Sequence, residues 1–227
     1  MVDLPCKRIQ VDEIWSFCYA KQKNVPPEFQ GQFGYGDVWT WVALDAETKL
    51  VPACLVGKRD ADWAEMFMYD LSKRLCHRIQ LTSDGHKAYL SAVEDAFGGD
   101  IDYATLTKLY GADKKDTEAR YSPNKIVGCQ LAVVQENPGP WHISTSYVET
   151  QNLTMRMQMR RFTRLTNAFS KKVENLHYAV ALHFVYYNFC RIHQTLRITP
   201  AMAARVSDHL WELRDILDLL KNAENSN

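Results

Sequence analysis

The sequence has no apolar run approaching the ~18 residues of a membrane span, and it has no Cys-x-x-Cys pair. Neither sign of charge is in excess: 27 Lys+Arg stand against 27 Asp+Glu in 227 residues, a formal net charge of zero. Internal repeats and low-complexity tracts are missing, and glycine and proline are sparse, at 10 and 8. These absences exclude a helical membrane protein, a zinc ribbon, a secreted disulfide scaffold, a solenoid and a collagen-like chain. The polar opening MVDLPCKR lacks the apolar centre of a signal peptide, and the six cysteines (6, 18, 54, 76, 129, 190) are scattered. The expectation is a cytoplasmic protein with reduced, mostly buried thiols. Because the net charge is zero, a polyanionic partner has to be met by a local basic patch and not by a long-range field.

What is present is an ordinary globular composition, 46% apolar and 24% charged, long enough for one large domain or a domain and a half. The run from Lys7 to Phe17 is β-rich and free of breakers. After a loop punctuated by Pro and Gly, DVWTWVALD and KLVPACLVG read as a hairpin. Asp60 to Cys76 carries Trp63, Phe67, Leu71 and Leu75 on one helical face. Ile79 to Thr82 is a short strand ending in Ser-Asp-Gly-His, Ala88 to Phe97 a helix stopped by Gly98-Gly99, and Ile101 to Leu109 another strand. This order predicts an α/β fold. Residues 110–145 read as an insertion holding a charged loop, the strand-like IVGCQLAVVQ and the breaker cluster ENPGP. Helices are expected over Ser146 to Phe169, Lys171 to Cys190, and Ala201 to about Leu220, the last behind a Thr199-Pro200 start.

Three acids occupy positions where an acid is locally unfavourable or exposed to a ligand. Asp12 is in the middle of the first strand, where Asp is disfavoured. Asp84 lies just past the end of the fourth strand, where α/β sheets bind ligands, and Glu149 opens the long helix. If the fold gathers them, they suit hard cations that take oxygen ligands. Each also has a structural reading. Ser146-x-x-Glu149 fits a capping box, Asp84-Gly85 is a common turn dipeptide, and Glu13 beside Asp12 points to the opposite face of the strand, so either could be solvated.

At 100° per residue, Glu149, Asn152, Arg156, Arg160, Thr163, Arg164 and Asn167 share one face of a helix, opposite Met155, Phe162, Leu165 and Phe169. From Thr150 to Val173 there are six Lys/Arg and no Asp or Glu. A phosphodiester backbone fits such a stripe; the alternative is a solvated basic face. Met155, Met157 and Met159 read as packing, and the nearly all-round apolar run from Glu174 to Phe189 reads as a helix buried on two sides, as against another subunit. His193, ending a helix, is read as a dipole partner and not as a catalytic group.

The segments VDEIWSFCYAKQKN, GDVWTWVALDAETKL, TSDGHKAYL, RYSP, ISTSYVETQNLTMRMQMRRFTRLTNAFSKKVEN and YNFCRIHQTLRITPAMAA closely resemble the catalytic domain of bacterial DDE transposases of the insertion-sequence-one type, over nearly the whole chain. The resemblance implies a ribonuclease H-like mixed sheet flanked by helices over 1–190, with the insertion before the glutamate-bearing helix, and a helical extension over 191–227. It assigns Asp12, Asp84 and Glu149 as catalytic metal ligands and Glu13 as a neighbour. It implies two Mg2+ ions, with Mn2+ as a substitute, and cleavage then joining of double-stranded DNA by a homo-oligomer. Arg156, Arg160, Arg164, Lys171 and Lys172, with His86 and Lys87 beyond Asp84, would contact DNA; a satisfied surface histidine is the plain alternative for His86. Two features depart from the family. The sequence begins almost at the catalytic domain, so the helix-turn-helix region that usually precedes the first strand is not expected in it, and Thr150 stands where an arginine follows the glutamate. A non-catalytic or host-adopted DNA-binding remnant, and a ribonuclease H-like nuclease that cuts without joining, are the competing functions.

Overall fold

The computed structural model describes residues 1–111 and 126–224; the RYSP segment lies outside the described residues. β1 (Arg8–Cys18), β2 (Gly36–Asp45) and β3 (Ala53–Gly57) form an antiparallel meander. α1 (Ala61–Ser72) then leads to β4 (Ile79–Ser83), and α2 (Ala88–Phe97) to β5 (Ile101–Tyr110). β6 (Ile126–Gln135), the strand-like part of the expected insertion, pairs antiparallel with β5 at the sheet edge. The strand order is β3-β2-β1-β4-β5-β6, with β1, β4 and β5 parallel. A meander followed by parallel strands reached through helices is the ribonuclease H-like α/β arrangement.

Alternation along the strands builds a core on each side of the sheet. Ile9 and Val11 of β1 and Trp41 of β2 pack with Phe67 and Leu71 of α1 and Tyr89 and Val93 of α2. Ile14, Cys18, Val38 and Val42 point the other way, toward α3 (Ser146–Gln158) and α4 (Val173–Val185). The Asp60 side chain caps α1 by accepting from Trp63 N–H at 3.2 Å. α2 stops at Gly98, whose φ of +55° is one an L side chain rarely adopts.

The expected long helix is not one helix. α3 ends at Gln158, Met159 is extended, and a 3-10 turn over Arg160–Phe162 turns Phe162 into the second core. Arg156 fixes this break by donating from Nη1 to the Phe162 carbonyl at 3.1 Å. Continuing as a helix would stack Arg156, Arg160 and Arg164 at i,i+4 spacing, where like charges repel, and would withhold Phe162 from its burial. The next expected helix is α4 followed by a π-helical turn, Tyr186–Cys190, and the last divides into α5 (Pro200–Ala203) and α6 (Leu213–Glu224). His193 therefore lies in a loop beyond the turn and not at a helix end. Leu176, Val180 and Phe184 of α4 are buried, whereas Tyr178 and Leu182 on its other side are exposed, so among the described residues α4 is covered on one side. Among the described residues no helix is long and apolar enough to cross a membrane.

Candidate active site

β1 runs on past the end of β4, and the acids collect at that step. The pairing of β1 with β4 covers Arg8 to Gln10, so Asp12 and Glu13 lie beyond the last paired residue and beside the turn that carries Asp84. The turn is tight: Asp84 Oδ1 accepts from His86 N–H at 2.9 Å, and a Cβ on Gly85 would stand 2.5 Å from Thr107 Oγ1. One oxygen from each of Asp12, Glu13 and Asp84 lies within 4.8 Å of the others.

Sequence alternation set Glu13 apart, and its side chain does leave β1 on the α1/α2 side, toward Arg59 and Tyr89. The carboxylate nevertheless rejoins the cluster, because no strand separates the two faces once β4 has ended. Glu13 Oε2 accepts from Arg59 Nε at 3.0 Å, and Arg59 reaches Asp84 Oδ2 at 3.6 Å while lying over the Trp39 ring. Tyr89, fully buried, sits near the same carboxylate, yet neither its hydroxyl nor Glu13 Oε1 has a partner in hydrogen-bonding geometry among the described residues. Burial raises the Glu13 carboxyl above its usual range.

Asp12 faces α3. Its Oδ2 accepts from Asn152 Nδ2 at 2.9 Å, and among the described residues no basic side chain pairs with it. Burial, with the adjacent Glu13 and Asp84 charges, pushes its carboxyl up to about 7. Two residues earlier on the same strand face, Gln10 Oε1 accepts the N–H groups of Tyr147 and Val148 at 2.9 and 3.2 Å. β1 thus caps the helix that carries Glu149, a role for Gln10 that its sequence context did not reveal.

Glu149 lines the same cavity, about 780 Å3, without belonging to the tight cluster. Lys108 of β5 pairs with Glu149 Oε2, and Thr145 Oγ1 donates to its Oε1 at 2.6 Å. The capping-box reading fails, since Ser146 N–H is satisfied by Ser144 Oγ at 3.1 Å and no side chain caps α3 from its N-cap position, Thr145. His86, Lys87 and Arg156 also line the cavity. The His86 ring is half-buried near Trp41 and Tyr89; burial first, then Arg59, lowers its pKa. Arg156 is half-buried, with burial and the nearby Arg164 lowering its pKa.

The remaining arginines and lysines of the expected stripe do not reach this cavity. Arg160 lines a separate surface hollow with Lys21 and Lys23, and Lys171 and Lys172 border another beside Phe33 and Tyr35. Arg164 is exposed beyond the helix break. The stripe requires a continuous helix, and the extended Met159 scatters it.

An all-oxygen donor set suits a hard divalent cation, and the local charge fits one. Among the described residues three carboxylates converge with Arg59 as the paired base, Asp12 has no basic partner, and Glu13 Oε1 has no hydrogen-bond partner. No family model and no curated protein matches the chain. Among solved structures, a cryo-EM structure of piggyBac transposase in a synaptic complex with hairpin DNA matches with a TM-score of 0.37 and 14% identity, over 80% of this chain and 45% of that one. The chain thus spans less than half the length of that protein.

Proposed function

We propose that this chain is the catalytic part of a DDE-type DNA transposase of the insertion-sequence-one kind, cutting and rejoining DNA strands with divalent metal. The observation that carries the reading is the convergence of Asp12 and Asp84 at the step where β4 ends, with Glu149 across the same cavity. Asp12, Asp84 and, once released from Lys108, Glu149 would hold Mg2+ or Mn2+. A divalent cation there supplies positive charge against phosphoryl oxygens and lowers the pKa of a bound water.

The chain's own residues do the rest. Asn152 orients Asp12, the turn N–H of His86 orients Asp84, and Arg59 holds Glu13 and Asp84 together. Lys108 and Arg156, beside the acids, are positioned to meet a phosphate, and His86 and Lys87 lie at the strand-end side of the cavity. In cleavage, the oxygen of water replaces the 3′ oxygen at phosphorus and frees a 3′-hydroxyl. In joining, that hydroxyl replaces the 3′ oxygen of a target phosphodiester, so bonds broken and formed balance. The acting species is proposed to be a homo-oligomer on double-stranded DNA, with the exposed side of α4, at Tyr178 and Leu182, available for a second subunit.

The test is a cleavage and strand-transfer assay on duplex DNA with Mg2+ or Mn2+, comparing the wild type with Asp12→Asn, Asp84→Asn and Glu149→Gln. Metal-dependent cutting and joined product lost in all three variants supports the reading. Cutting without joining makes the chain a nuclease, and metal-dependent DNA binding without cutting makes it a remnant.

A further inference from the structure

α3 separates two cavities, one holding the carboxylate cluster together with Arg59, Lys87, Lys108 and Arg156, the other without a described acidic lining residue. Behind it, on the side away from Asp12, a cleft of about 370 Å3 is lined by Lys49, Tyr147, Gln151, Arg191 and His193, and no Asp or Glu lines it. We infer that this cleft binds a phosphoryl group, held by Arg191, Gln151 and Lys49. The inference does not depend on the chemistry proposed for the acidic cavity.

Two buried donors point to a missing acceptor. Gln151 is 4% exposed, and its Nε2 has no hydrogen-bond partner; Arg191 Nη1 is likewise buried and unpartnered among the described residues. Arg191 forms no ion pair with any described carboxylate. An unsatisfied buried donor costs ~1–3 kcal/mol, and both residues that carry one here also line the cleft, so a ligand accepting from these side chains would relieve that cost. The Lys49 ammonium lies 3.3 Å from the Tyr147 ring centroid and donates to the Ala46 carbonyl, which leaves a further N–H for a ligand. The cleft is positive enough that Lys49 and Arg191 add to burial in lowering the pKa of His193.

The groups are fixed before any ligand arrives. Asn188, in the π-helical turn, accepts from Val51 N–H at 3.0 Å and donates to Val51 C=O at 2.9 Å. Tyr187 Oη donates to the Lys49 carbonyl at 2.9 Å. These bonds tie the turn bearing Lys49 to the segment bearing Arg191, and π turns of this kind recur at functional sites. A guanidinium, an amide and an ammonium from three separate elements surround an anion with more than two acceptor oxygens better than they surround a carboxylate. The source is either free phosphate or nucleotide, or the backbone of a nucleic acid.

The test is done without metal, in EDTA, so that the acidic cavity is silent. Melting temperature and calorimetric affinity are measured with inorganic phosphate against chloride at equal ionic strength, for the wild type, Arg191→Gln, Lys49→Gln and Gln151→Leu. The expected result is a phosphate-specific rise of several degrees in the wild type and an affinity at least tenfold weaker in Arg191→Gln and Lys49→Gln. Without phosphate, Arg191→Gln should melt no lower than the wild type, because its guanidinium has no hydrogen-bond or ion-pair partner among the described residues. Competition identifies the source: displacement of phosphate by a short DNA duplex, lost in Arg191→Gln, marks a backbone site, whereas displacement by a nucleoside monophosphate alone marks a small-molecule site. Equal responses to phosphate and chloride, or unchanged phosphate affinity in both Arg191→Gln and Lys49→Gln, would overturn the inference.

Discussion

The two sides of α3 have opposite needs. On one side the helix meets Asp12, beside which Glu13 and Asp84 gather; on the other, toward the π-helical turn, it borders the cleft of Lys49 and Arg191. A chain of zero net charge therefore keeps a carboxylate cluster and a cleft without acidic lining in separate places, and the sum of charges conceals this. Each side has internal substitutes. Arg59 and Lys108 stand against the acids, and the Tyr147 ring stands against Lys49.

The largest effect that would break this comparison is the loss of chemistry from the acidic side alone. Asp12→Asn and Asp84→Asn should each lower metal-dependent DNA cleavage at least a thousandfold, measured by single-turnover product formation, since charge stabilisation by a bound metal is worth several kcal/mol. The same variants should raise the melting temperature of the metal-free protein by a few degrees, because each relieves carboxylate repulsion. A drop in metal-free stability would mean that these acids hold the fold together.

How far this site was legible depends on the residue. Asp12 and Asp84 could be singled out as candidates, since an acid in mid-strand and an acid just past a strand end are locally costly or ligand-facing, but the residues alone left Asp12 open against Glu13 and Asp84 open against a plain turn. Glu13 could not, because strand alternation sends it to the other face, and only the early end of β4 lets its carboxylate return. The break after Gln158 was hidden as well: helical periodicity through Phe162 is good, and the core that claims Phe162 is tertiary. Gln10 as a cap, and Arg59 and Lys108 as counter-ions, come from elements that only the fold brings together. Most strand and helix bounds up to Tyr110 were readable from alternation and breakers, as with α2 and its Gly98 stop.

A second prediction sharpens the comparison through pH. The Asp12 carboxyl is raised from 3.8 to about 7 in the folded state, so its contribution to stability is full below about pH 4 and is lost as pH rises through 7. The metal-free wild type should lose melting temperature between pH 5 and 8 relative to Asp12→Asn, and saturating Mg2+ should flatten the difference. A wild type and variant that run parallel across that range would remove Asp12 from the account of the cation deficit.

Smaller effects separate the helix from its surroundings. Gln10→Leu should cost about 1 kcal/mol of stability by uncapping α3, and it should lower cleavage more than melting temperature by loosening Glu149. Arg156→Ala should destabilise modestly through the lost bond to the Phe162 carbonyl. Arg160→Ala and Arg164→Ala, both exposed, should leave stability within about 0.5 kcal/mol. If DNA crosses this surface, each should reduce the slope of log K against log salt by about 0.9. An unchanged slope in both would remove Arg160 and Arg164 from the DNA-contacting surface.

The central claim, that the acids at the end of β4 form a divalent-cation site, is tested most directly by titrating Mn2+ into the DNA-free protein and following free Mn2+ by electron paramagnetic resonance. The account predicts saturable binding that is at least tenfold weaker in Asp12→Asn and in Asp84→Asn and stronger in Lys108→Met, where Glu149 is freed. Equal Mn2+ affinity in the wild type, Asp12→Asn and Asp84→Asn would contradict it.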